Sequence, residues 1–251
     1  MALLSPLLIA AAFILAASYK GGPGWDFDGF LRSWSWRYEG QTTDLVEIPF
    51  DDTIDTVDII LDCGPVEFDI RPVSKRLFSA ETRYYKRSPI ISHRTENEVE
   101  FIKFENREKL RWSLLNIGGS GQRADFKIPG VLPLKMNIST EADFPDLDFS
   151  DIRLTSLKLY VRSGDVTLRL GDLEDSVKAE ISGKTGEFAI IIPSEFGLEI
   201  TGNRNRLDDA LAETDLVEFA GVYRSDDFEK AKQKVFILLD ARVKSVTINA
   251  Y

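Results

Sequence analysis

The chain has 251 residues and a net charge of −10, and 43% of its residues are hydrophobic and 29% charged. These values are typical of a globular protein with a buried core. The acidic balance argues against nucleic-acid binding, which requires a basic surface, and against general adhesion to anionic lipid. Cys63 is the single cysteine and His93 the single histidine, which excludes an internal disulfide, a cysteine-ligated metal site and a His-pair zinc site.

The N-terminal segment from Ala2 to Ala17 is apolar apart from Ser5 and Pro6. It is shorter than the roughly 20 apolar residues of a membrane-spanning helix. Small residues at 16–18 fit a signal-peptidase site, although no Lys or Arg precedes the apolar run. We expect residues 1–18 to be a cleaved signal peptide or a retained membrane anchor, with a buried strand or helix as the third alternative. Either of the first two places the protein outside the cytoplasm.

Most of the remaining chain repeats one couplet, in which an alternating apolar run breaks at a short turn and then resumes. Residues 157–161 and 166–170 form one couplet, with Ser163-Gly164-Asp165 at the break. The other couplets lie at residues 57–70, 177–192 and 235–248 and, more loosely, at 134–144, where Phe144 resumes the run. Period-two alternation predicts half-buried strands, and a repeat of about 20 residues is typical of solenoids. The prediction is an all-β, solenoid-like stack of strand–turn–strand couplets. An antiparallel β-sandwich built from hairpins is the alternative.

Two segments depart from this alternation near the C-terminus. Residues 203–219 place Leu207, Ala210 and Leu211 at helical spacing, and residues 225–234 begin with Ser225 as a suitable N-cap. We therefore predict one or two short helices there. In the N-terminal part, Trp34 and Trp36 at strand spacing favour core or edge cover over a carbohydrate platform.

Residues 128–251 resemble the toast-rack domain family of prokaryotic envelope proteins. The resemblance is carried by the segment "LDFSDIRL", the couplets on either side of it, and the closing "VFILLDARVKSVTINAY". Relatives in this family include surface adhesins and the sensory domains of cell-wall stress-response proteins. The turns here lack the paired glycines of the family pattern, and within residues 19–127 only 57–70 match. The resemblance implies an all-β stack at the cell envelope, divided into an N-terminal β region at 19–127 and a toast-rack-like domain at 128–251. It brings no catalytic residues.

The segment from residue 71 to residue 111 is basic, with eleven Lys or Arg and six Glu, a net charge of +5 in an acidic chain. Its basic and aromatic side chains suit an anionic glycan, a phosphate polymer or a lipid headgroup. The candidate binding residues are Arg83, Tyr84, Tyr85, Lys86, Arg87 and Arg94. The alternative is a polar strand pair that docks against an acidic surface of this or a neighbouring subunit.

Other candidate sites give weaker signals. An acidic run suits calcium by ligand type but lacks the ligand order of an EF-hand, so a solvated turn is the better interpretation. Its members are Glu141, Asp143, Asp146, Asp148 and Asp151. Ser92 and His93 are neighbours in a predicted strand and point to opposite faces, which argues against a nucleophile–base pair. The glycine-rich segment 116–125 lacks the ending of a phosphate loop. We predict no catalytic residue, metal site or cofactor.

These patterns favour a non-enzymatic, extracytoplasmic envelope protein with a structural, adhesin-like or assembly role. The alternative is a membrane-tethered sensor or regulatory domain of an envelope stress response, and an enzyme acting on polysaccharide has the weakest support. Expected partners are an envelope polymer, an envelope protein or a second copy joined through the sheet ends, and membrane contact is expected only through the N-terminal segment. We expect self-association to be salt-sensitive and weakened by charge reversal at Lys86 and Arg87.

Overall fold

A computed structural model describes residues 42–73, 75–84, 87–107 and 122–251, and Thr42–Tyr251 form one compact unit. Strands dominate the described residues. Their bounds are β1 (Thr42–Pro49), β2 (Thr56–Gly64), β3 (Glu67–Val73), β4 (Arg76–Tyr84), β5 (Ile90–Glu96), β6 (Val99–Glu105), β7 (Arg123–Pro129), β8 (Leu134–Thr140), β9 (Asp146–Phe149), β10 (Leu154–Val161), β11 (Val166–Leu170), β12 (Ser176–Ile192), β13 (Gly197–Gly202), β14 (Val217–Phe219), β15 (Val222–Arg224), β16 (Lys234–Leu239) and β17 (Arg242–Ala250). A short helix, α1 (Arg204–Ala210), follows β13.

The strands form two layers. The first layer is one long sheet with the order β14-β15-β13-β16-β12-β10-β8-β2-β6-β5. The second layer contains the ladder β17-β12-β11-β9 and the sheet β3-β7-β4-β1, and β3 lies against β9 without pairing with it. The 17-residue strand β12 belongs to both layers, because Ser176–Ile181 pair in the first and Lys184–Ile192 in the second.

Each couplet places one strand in each layer. The couplets are β2/β3, β6/β7, β8/β9, β10/β11, β16/β17 and the two halves of β12. Where strands of two couplets pair within a layer, they do so in parallel and in register. Leu159 of β10 lies beside Ile181 of β12, for example, and Leu168 of β11 lies beside Ile190 of β12. The predicted solenoid-like stack is therefore confirmed. Among the strands that the structure describes, antiparallel pairing occurs only at the two ends of the stack, where β1, β4 and β5 close one end and β14 and β15 close the other.

The alternation fills the space between the layers with apolar side chains. In β10 and β11 the inward residues are almost fully buried, as are those of the β12 couplet beside them. Where β6 and β7 meet the rest of the stack, the Phe126 ring lies 4.9 Å from Phe104, 6.0 Å from Phe78 and 6.1 Å from Phe68, measured between ring centroids. Phe104 belongs to the first layer and the other three to the second, so this cluster joins the two layers.

At the opposite end, α1 takes the place beside β17 that a further second-layer strand would occupy. It packs against β17, and Leu207 is buried there. The helix predicted within residues 203–219 is therefore present over Arg204–Ala210. The helix predicted at 225–234 is wrong, because residues 226–230 form only turns. Ser225 does not cap a helix; its hydroxyl oxygen accepts a hydrogen bond from the Leu198 N–H at 3.1 Å and ties this turn to β13.

The loose couplet at 134–144 also resumes later than predicted. Phe144 is 77% exposed, and the inward residues of the second strand are Leu147 and Phe149. The turn after β8 spans residues 141–145, and Pro145 in that turn has no N–H to donate to a ladder. The strand therefore begins at Asp146.

Candidate functional site

The outer face of β3, β7 and β4 has charged residues arranged in three rows across the strands. In the middle row, Asp69, Asp125 and Glu81 lie side by side in register. Glu67, Arg123 and Arg83 form the row on one side, and Arg71 and Lys127 lie on the other side. Apart from Glu67, these side chains together line a shallow depression of about 350 Å³. We call this set the charged face.

The arginines of the charged face are paired with its carboxylates. The Arg123 guanidinium contacts Asp69 and lies 3.4 Å from Asp125, and these two carboxylates raise the pKa of Arg123. Arg71 lies 3.4 Å from Asp69 and Arg83 lies 3.8 Å from Glu81. These partly exposed pairs contribute little to stability, about 0–1 kcal/mol each. Their main effect is a surface on which positive and negative charges alternate, so that it presents both hydrogen-bond donors and acceptors.

The predicted basic and aromatic site is divided between the layers. Arg83 lies in β4 on the charged face, and the Tyr84 hydroxyl donates a 2.7 Å hydrogen bond to Asp44 in β1, which raises the pKa of Tyr84. Arg94 lies in β5 of the first layer, where its guanidinium stacks 5.1 Å above the Phe101 ring. Arg87 is exposed in the connection between β4 and β5. Of the same prediction, Tyr85 and Lys86 lie outside the described residues.

The structure instead groups Arg83 with Arg71, Arg123 and Lys127, which are not among the binding residues predicted from the sequence. The signal for two of them was the alternation in "RADFKIP", where Arg123, Asp125 and Lys127 share one face of β7. Their partners lie more than fifty residues away in β3 and about forty residues away in β4. The rows are aligned by the parallel register of β7 with β3 and its antiparallel register with β4. Period-two patterning predicts faces but does not predict which strands are neighbours.

His93 has a structural partner. Its Nδ1 lies 2.7 Å from Oε1 of Glu100, a carboxylate that is only 2% exposed, and the Thr95 hydroxyl donates to the other oxygen. Both carboxyl oxygens of the buried Glu100 side chain therefore have hydrogen-bond partners between β5 and β6. Ser92 precedes His93 on the same strand and points to the other face, as its sequence position predicted.

The acidic run after β8 is engaged with arginines and a local turn. Glu141 pairs with Arg162 at 2.8 Å, and Asp148 lies 3.7 Å from Arg169 and accepts hydrogen bonds from Ser150. Within the described ranges, no group of three or more His, Cys, Asp or Glu side chains is placed to hold a metal ion. No helix in the same part of the chain is long and apolar enough to cross a membrane.

Residues 38–191 match a family model described as "N-terminal domain of toast_rack, DUF2154". The chain belongs to this toast-rack family. The resemblance identified in the sequence is thereby confirmed, and the match begins well before residue 128. A search of curated proteins found no match to this chain.

Among solved structures, the toast-rack chain is similar to a "putative cell adhesion protein" from Clostridium sporogenes. The TM-score is 0.66 at 16% identity, covering 84% of this chain and 100% of that one, which shows a shared fold. Two weaker likenesses are to a "putative lipid binding protein" from Parabacteroides distasonis (TM-score 0.31, 11% identity, 66% and 71% of the two chains) and a "putative adhesin" from Bacteroides fragilis (TM-score 0.22, 9% identity, 85% and 98%).

Proposed function

We propose that this protein is a non-enzymatic, adhesin-like or assembly module of the cell envelope that works outside the cytoplasm. The observation that carries the proposal is the toast-rack stack itself. Its interior is filled by apolar side chains, and its charged face presents paired, outward-pointing charges that are suited to contact with another polar surface. The fold shared with the cell adhesion protein from Clostridium sporogenes supports this role.

The apolar segment from Ala2 to Ala17 supports the location. A tagged full chain should be found in the envelope or secreted fraction. Protease should cleave it when added to cells whose outer barrier has been permeabilised while the cytoplasmic membrane is still closed. Recovery of the mature protein from the cytosol would overturn the proposal. N-terminal sequencing decides between export and tethering, because a start near Tyr19 means that the leader has been removed.

A binding partner for the charged face is expected to be an anionic glycan or phosphate polymer of the envelope. In that case Arg83, Arg71 and Lys127 supply the cations, and the ammonium of Lys127 makes no ion pair with any described carboxylate. A pull-down with a purified anionic cell-wall polymer tests this. Arg83→Ala with Lys127→Ala should reduce retention severalfold, whereas Lys158→Ala, on the outer face of the first layer, should leave it unchanged. Equal retention of all three proteins would remove the charged face as the contact surface.

The alternative of a membrane-tethered sensor is favoured by a single feature, the apolar N-terminal segment if it is retained. It predicts that the full chain remains in the membrane fraction after washing with high salt. Release by salt alone would contradict a tether and leave the adhesin-like role in place.

A further inference from the structure

The first layer ends in two strands whose outer backbone edges have no neighbour among the described residues. β14 pairs only with β15, and β5 pairs only with β6. Along the sheet, β5 lies nine strand intervals from β14, about 43 Å at the usual strand spacing. An unpaired edge is a template for another strand.

The directions of the two edge strands are compatible with each other. β14 runs in the same direction as the parallel couplet strands, because it is antiparallel to β15, which is antiparallel to β13. β5 runs in the opposite direction, because it is antiparallel to β6. A second copy translated along the sheet therefore brings its β5 antiparallel to β14 of the first copy, and the sheet continues without any change of orientation.

Both edge strands belong to hairpins with two-residue loops, which fixes which backbone groups point outward. Asn97 and Glu98 have φ values of 51° and 63° in one loop, and Ala220 and Gly221 have 54° and 84° in the other. Positive φ at both positions defines type I′ turns, whose flanking residues form a hydrogen-bonded pair, and such pairs alternate along the hairpin. Glu218 in β14 and His93 in β5 therefore direct their backbone N–H and C=O groups to the free edges.

The side chains at these two positions are also complementary. Glu218 and His93 both lie on the core-facing side of the sheet, opposite Tyr223 and Ile102 respectively. Oε1 of Glu218 lies 3.4 Å from the Arg204 guanidinium and accepts a hydrogen bond from the Gly221 N–H, and Nδ1 of His93 lies on Glu100. This leaves Oε2 of Glu218 and Nε2 of His93 for a contact between copies. Val217 and Phe219, which are 56% and 81% exposed, lie on the outer side of the same edge. A neighbouring strand would cover part of this apolar surface.

We infer that β14 of one copy pairs antiparallel with β5 of a second copy, with Glu218 opposite His93, and that this contact joins copies head to tail. The contact is heterologous, so repeating it extends an open row of copies instead of closing a dimer. This inference deepens the assembly role proposed above and rests on it. The two can fail separately. Purified protein that never self-associates overturns this inference but not the envelope function, whereas a cytosolic location overturns the envelope function but not the pairing of copies.

Disulfide trapping provides the first test. The full chain with Glu218→Cys and His93→Cys should form a ladder of covalent oligomers beyond the dimer under mild oxidation, because about 43 Å separates these positions within one copy. The natural thiol, Cys63, is fully buried and does not interfere. The control pairs His93→Cys with Lys158→Cys, in the middle of the sheet, and should not give the ladder. An identical pattern for the two double variants overturns the proposed register.

Backbone blocking provides the second test. Glu218→Pro removes the outward N–H and leaves the β14–β15 pairs intact, because this N–H takes no part in them. Glu218→Ala removes the same carboxylate and keeps the N–H. In sedimentation equilibrium, Glu218→Pro should weaken association at least tenfold and Glu218→Ala less than about threefold. Both variants lose the contacts of the carboxylate with Arg204 and the Gly221 N–H, so the folding control is that their thermal unfolding midpoints agree with each other. A wild-type chain that stays monomeric at high concentration, or equal losses in both variants, overturns the inference.

Discussion

Gly164 shows how a single turn position constrains the stack. It lies between β10 and β11 with φ of +111°, and a Cβ at this position would overlap the backbone carbonyl oxygen of Asp143 in the neighbouring turn. Only glycine meets both requirements, the positive φ and the close approach. The break at Ser163-Gly164-Asp165 predicted a turn, but the contact with the turn beside it depends on stacking that a single couplet does not reveal.

Replacement of Gly164 by alanine should therefore destabilise the fold by about 3 kcal/mol, because strain and overlap add. Gly221→Ala is the matched control: its φ is +84°, yet no atom lies near the added Cβ. That variant should lose only about 1 kcal/mol. Chemical denaturation of the two variants beside the wild type measures the difference, and equal losses would show that the contact with Asp143 is unimportant.

Tyr223 provides a prediction about pH. Burial and the hydrogen bond that its hydroxyl donates to Asp208 raise the pKa of Tyr223 to about 12. An unfolded tyrosine has a pKa of about 10, so the folded chain holds this proton more tightly. The resulting stabilisation is complete below pH 10 and is lost as the pH rises toward 12.

The measurement is the free energy of unfolding between pH 9 and pH 12 for the wild type and Tyr223→Phe. The variant lacks the ionisable group, so its stability should fall less steeply with pH over this range. At neutral pH it should be less stable than the wild type by about 1 kcal/mol, because Asp208 loses a donor. Parallel curves for the two proteins would contradict the raised pKa.

At the scale of elements, the couplets differ in how well the sequence predicts them. β10, β11 and β12 follow from strict alternation around short breaks. The couplet β6/β7 does not follow from the alternation, because its strands are separated by residues 106–122 and the first of them lies in the strongly charged segment 71–111. Parallel and antiparallel neighbours share the same period of two, so pairing required the structure.

The phenylalanine cluster is the expected weak point of this couplet. Phe126→Ala should destabilise the protein by about 4 kcal/mol, because the ring is fully buried and its removal leaves a cavity between the layers. Phe144→Ala, at an exposed ring, should change stability by less than about 0.5 kcal/mol. Thermal unfolding followed by circular dichroism compares the two, and similar midpoints would show that the cluster does not hold the layers together.

For the whole molecule, the order of strands in space differs from their order in the chain. β2 and β3 lie between the β6/β7 and β8/β9 couplets, so pairing crosses residue 128. We therefore expect Thr42–Tyr251 to unfold in a single cooperative transition, with calorimetric and van't Hoff enthalpies that agree. Two resolved transitions would instead support separate N-terminal and C-terminal units.

The salt-sensitive self-association and the effect of charge reversal at Lys86 and Arg87 stay predictions.

The stacking of couplets also determines how the molecule responds to a mechanical load. In the second layer β1 and β17 occupy opposite ends, and the hydrogen bonds between neighbouring strands run along the line that joins those ends. Tension applied through Thr42 and Tyr251 therefore loads the β1–β4 and β17–β12 ladders first, and we expect each of these to open by peeling instead of by shear. The strands that follow inward along the chain, β2 and β16, each lie between two neighbours, so the next step has to break two ladders at once. We expect the terminal strands to detach at low force while the interior couplets hold.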